Sequence, residues 1–88
     1  MQALRDRFVE RCRGDLVRLK VLAAGDLSAD ELGALAHSLA GAGGVFGFPE
    51  VSAAAGRLDD AYASGETPSP AAVAALLDEL QRVVDSAG

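Results

Sequence analysis

The chain has 88 residues, half of them apolar, and sets 8 Lys+Arg against 13 Asp+Glu for a net charge of −5. That length holds one domain, 1–88, and the acidic balance disfavours nucleic-acid binding by the domain as a whole. One cysteine and one histidine exclude an internal disulfide and the usual zinc sites, and no apolar run reaches the ~18 residues of a membrane span. With a charged N-terminus unlike a signal-peptide core, a reducing cytoplasmic location is the expectation.

The first predicted helix covers about 2–24. Leu4, Phe8, Cys12, Leu16, Leu19 and Leu22 (or Ala23) recur at three- and four-residue intervals, which is helix periodicity. Cys12 falls on that stripe and reads as a small buried thiol. Gly25 is the expected C′ residue. The charge of this segment opposes the rest: residues 1–20 hold six basic and three acidic side chains, the remainder two basic and ten acidic. The basic edge either neutralises neighbouring helices or docks a partner.

The second helix is predicted over 29–44. Ser28 and Glu31 match the S-x-x-E capping pattern, and Leu27 can meet Leu32 as a hydrophobic staple. In VFGFPE, Gly47 permits a turn, Phe46 and Phe48 plug one end of the core, and Pro49 suits a first helical position. The third helix, 49–63, turns Val51, Ala54, Ala55, Leu58, Ala61 and Tyr62 inward and stops at Ser64-Gly65. Ser69 caps the fourth, 70–85, whose N1 residue is Pro70 and whose apolar face is Val73, Leu76, Leu77, Leu80, Val83 and Val84. Four amphipathic helices on short connections predict an all-α, antiparallel up-down four-helix bundle.

The only histidine lies in the second helix, in AHSLAGAGG. At about 100° per residue from Leu32, the buried side of that helix holds Leu32, Leu35, Ala36, Leu39 and Gly43. His37 then falls near 140°, Gly44 near about 120° and Gly41 near about 180°, away from the core. Each glycine in a helix interior costs up to about 1 kcal/mol against alanine. Close packing on a neighbour would account for Gly43 but not for Gly41, which faces solvent. Bare backbone beside an exposed imidazole lets a second protein come close to it. Asp59 and Asp60 can approach from the third helix, while an ordinary surface histidine remains the alternative. One isolated histidine with no nearby cysteine has no relay in the sequence, which speaks against a catalytic triad.

The stretch from Leu35 to Tyr62 resembles the core of a histidine-containing phosphotransfer (HPt) domain. The family pattern of histidine, leucine two on, glycine four on and glycine ten on corresponds to His37, Leu39, Gly41 and Gly47. Phe46, Phe48 and Pro49 match the turn into the next helix, and Gly56-Arg57-Leu58-Asp59 resembles an alanine-arginine-leucine-glutamate segment. The likeness covers most of residues 4–85. Two positions depart from it: Ala40 stands where many members carry lysine, and Asp59 is shorter than the common glutamate.

The resemblance implies that His37 accepts a phosphoryl group, through Nε2, from the phospho-aspartate of one receiver domain and passes it to the aspartate of another. It implies no autonomous kinase activity. Gly41, Gly44 and Ala40 would give a partner access to the site, and Leu39, Phe46, Gly47, Phe48 and Pro49 would support the turn. Docking would use Ala34, with Arg11 or Arg18 steering an acidic receiver; Leu35 is both a contact and a core candidate. The implied partners are a response-regulator receiver domain and a hybrid histidine kinase, with no nucleic acid or membrane. No metal or cofactor is expected on this chain, which reads as a monomer, and Mg²⁺ is expected on the receiver. The competing readings are a non-transferring adaptor or inhibitor that binds a receiver or kinase, and a bundle binding nucleic acid through its basic first helix.

Overall fold

The computed structural model describes residues 2–87, and every described helix is α: α1 Gln2–Ala23, α2 Asp30–Val45, α3 Pro49–Ala63 and α4 Pro70–Ala87. Helix α1 packs against α2 and α4, and α3 packs against the same two, which is the pattern of an up-down bundle. The diagonal pairs stay apart. The longest dimension, 37 Å, matches a 22-residue helix of about 33 Å and its flanking turns.

The core is the apolar stripe of each helix brought to one axis. Phe8, Cys12, Leu16 and Leu19 from α1 meet Leu32, Leu35, Ala36 and Leu39 from α2. Val51, Ala54, Ala55 and Leu58 from α3 and Val73, Leu76 and Leu80 from α4 complete it. Each large side chain so buried contributes about 1.5–3 kcal/mol. Alanines on α3 contribute less area but allow close approach, and α2 lies tightest along α3. A Cβ on Gly43 would stand 2.9 Å from the backbone N of Ser52 and 3.2 Å from the carbonyl O of Phe48. Gly43 is therefore the residue that lets α2 and α3 touch.

The end of α2 explains the turn. Gly47 has φ 82°, and the Phe48 N–H donates to the Gly43 carbonyl at 2.8 Å. This is a Schellman closure, which asks for a left-handed residue at C′. It places Phe46 and Phe48 on Phe8, with ring centroids 5.4 and 4.8 Å apart, and the three rings close that end of the core. Gly65, at φ 77°, ends α3 by the same device, with Glu66 N–H donating to the Ala61 carbonyl at 2.8 Å.

Four expectations are corrected. Ser28 is not the cap of α2: its N–H and its Oγ–H both donate to Asp26 Oδ1, at 2.9 and 2.7 Å, so its hydroxyl is committed to a local turn. Ala29 takes the N-cap position without a side-chain bond, α2 begins at Asp30, and Glu31 pairs with Arg18 instead of closing a capping box. Leu4 is 41% exposed, because the Phe8–Phe46–Phe48 stack closes the core one turn deeper. Gly25 follows α1 without a positive φ; that helix ends in i to i−3 bonds from Ala24 to Val21 and from Gly25 to Leu22. Ala61 and Tyr62 are only half-buried.

Candidate functional site

Helix α2 presents His37 on the side opposite Leu32, Leu35 and Leu39, and the imidazole is 79% exposed. Its ring is held from α3. Nδ1 lies 3.1 Å from Oδ1 and 3.2 Å from Oδ2 of Asp59. A carboxylate only accepts, so the ring nitrogen facing it carries the proton, and the lone pair of the neutral imidazole is on Nε2. The geometry thus sets both the tautomer and the outward orientation of the unprotonated nitrogen.

The surroundings of the ring are bare. A Cβ on Gly41 would meet nothing within 4 Å, and one on Gly44 would meet only Ser52 Oγ, at 3.6 Å. Both glycines are exposed, as is Ala34, while Ala40 is half-buried and Leu35 belongs to the core. Ser52 Oγ–H donates to the Ala40 carbonyl at 2.7 Å and ties α3 to α2 one turn from the histidine. Asp60 makes no bond to the ring; only its neighbour Asp59 lies on the face turned to α2.

On the other flank α1 carries both arginines singled out from sequence. Arg18 is bound to Glu31 on α2. Arg11 donates through Nε to Asp15 at 3.0 Å and through Nη2 to Ser38 Oγ at 2.6 Å, so its guanidinium rests on the residue that follows His37. Of the turn residues, Leu39 is fully buried, Phe46 and Phe48 are half-buried in the ring stack, and Gly47 and Pro49 join α2 to α3.

Sequence reasoning did not find the Arg11–Ser38 and Ser52–Ala40 bonds. A signal for the second existed: Ser52 precedes Asp59 by seven residues, two turns on the same helix face.

An exposed, oriented imidazole on the second helix of a four-helix bundle agrees with the family comparison, in which the Hpt domain model matches residues 3–86. The chain belongs to the Hpt domain family. Comparison with curated proteins and with solved structures gave no match. An Hpt domain acts in a phosphorelay, holding a phosphoryl group on histidine between receiver-domain aspartates, as a carrier and not as an autonomous kinase. Membership implies interaction with receiver and histidine-kinase domains as classes. Among the described residues no helix is long and apolar enough to cross a membrane, and no group of three or more His, Cys, Asp or Glu could hold a metal ion.

Proposed function

We propose that His37 is the phosphoacceptor of this Hpt domain and that Nε2 is the reacting atom. The observation that carries this reading is the Nδ1–Asp59 contact beneath a ring otherwise open to solvent. The Nε2 lone pair attacks the phosphorus of a receiver's aspartyl phosphate in line. The N–P bond forms as the P–O bond to the aspartate breaks, and the carboxylate leaves with its electron pair. The ring gains positive charge in this step, and the carboxylate of Asp59 accepts a stronger hydrogen bond from Nδ1–H as it does so. Transfer onward is the reverse step toward a second aspartate.

The receiver would supply the magnesium ion, whose charge would offset that on the transferring phosphoryl oxygens. Gly41, Gly44 and Ala34 leave room for its loops. The partners on this reading are a response-regulator receiver and a hybrid histidine kinase, met by a monomeric carrier in the cytoplasm. Incubation with a phosphorylated receiver tests it. Label should map to His37 in the wild type, be passed to a second receiver, and vanish in His37→Gln. Receiver binding without acid-labile label on His37 would instead establish an adaptor.

A further inference from the structure

A phosphoryl group on Nε2 adds negative charge beside Asp59, so a cation must come from somewhere. Helix α2 contains no lysine or arginine. On α3 the only one, Arg57, lies about 200° around the helix from Asp59, on the opposite face. On α4 the only one, Arg82, is engaged with Glu79. The chain's remaining cations are on α1.

Of these, Arg11 is the one bonded to the residue that follows His37. Its Nη2–H rests on Ser38 Oγ at 2.6 Å, next in sequence to His37, and its side chain is 35% exposed. Asp15 takes the Nε–H at 3.0 Å and steadies the stem without using the outer N–H groups. Guanidinium has five donors, and the described residues engage only Nε and Nη2. Arg18 differs in that its outer nitrogen, Nη2, is held by the carboxylate of Glu31, whereas in Arg11 the carboxylate of Asp15 takes only Nε and Nη2 meets a neutral hydroxyl.

We propose that Arg11 is a phosphoryl-binding residue of this domain: on phosphorylation it leaves Ser38 and donates to the phosphoryl oxygens on His37. The contact is a charge-assisted bond, made only when the group is present. The inference rests on His37 as acceptor and adds the helix that supplies the charge.

The test needs no protein partner. Phosphoramidate labels the 88-residue chain as Nε2 takes the phosphorus and ammonia leaves. Arg11→Gln should slow labelling about tenfold, the worth of one charge-assisted bond, and Arg11→Lys should recover most of the rate. In a phosphorus NMR titration of the labelled protein, Arg11→Gln should raise the phosphoryl midpoint by about half a pH unit. Arg18→Gln should change neither, and circular dichroism should show every variant folded. Wild-type labelling rate and midpoint in Arg11→Gln would overturn the role of Arg11 while leaving His37 in place, as would an equal effect of Arg18→Gln. Undiminished labelling of His37→Gln would overturn the acceptor assignment and this proposal with it.

Discussion

Nδ1 of His37 lies within 3.2 Å of both oxygens of Asp59, yet the ring is mostly in solvent and Asp59 is 32% exposed. An exposed pair of this kind adds about 0–1 kcal/mol to folding, so its value is in the tautomer it selects and the charge it meets during transfer. Asp59→Ala should therefore lower the phosphotransfer rate about tenfold while shifting the urea midpoint little, as stopped-flow transfer and equilibrium unfolding would show. The glycines separate on the same logic. Gly41→Ala places a methyl in open space and should stabilise the domain by up to about 1 kcal/mol, whereas Gly41→Leu should impair transfer with the fold intact. Gly43→Ala drives a Cβ into the Ser52 backbone and should cost about 1–3 kcal/mol in urea unfolding.

At the scale of the element, two serines precede helices, and only one serves as a cap. Ser69 Oγ accepts the Ala72 N–H at 3.1 Å and Pro70 follows at N1, so α4 starts as its sequence says. Ser28 faces an acceptor two residues upstream, and two bonds from Ser28 hold the Asp26 carboxyl below its ordinary value. Ser69→Ala should cost about 1 kcal/mol, and Ser28→Ala less, because no helical N–H loses a partner there. Chemical denaturation of the two variants distinguishes these outcomes. The contrast marks where local pattern fails: a capping motif is a competition, and Asp26 wins the serine while Arg18 draws Glu31 away. Both competitors lie outside the four-residue motif.

For the whole molecule, Cys12 reports on cooperativity. It sits in the core at 0% exposure, and burial, with Asp15 adding to it, pushes the thiol up to about 11. A thiol reagent at pH 8 should react only through global opening, so the labelling rate measures unfolding; rapid reaction of the native protein would contradict the packing. The pH dependence follows from the sign of the shift. The folded state holds the proton more tightly than an unfolded thiol of ordinary value 9.0, so this contribution is complete below pH 9 and is lost as pH rises toward 11. The charge division has a counterpart at this scale too. Arg18 of the basic helix pairs with Glu31 on α2, so part of that charge neutralises a neighbour rather than waiting for a partner.

Apolar spacing by itself determined four helices, most of their inward faces and the outward direction of His37, because each depends only on the roughly 100° advance of one helix. The Schellman glycine at position 47 and the cap at Ser69 were equally local. Tertiary packing decided which carboxylate meets the imidazole, Asp59 and not Asp60, and that Arg11 settles on Ser38. It also decided what Gly43 packs against, the backbone of Ser52 on α3. These outcomes turn on how far each helix is rotated and slid against its neighbour, and that register is set by the filling of the entire core, which no single segment encodes.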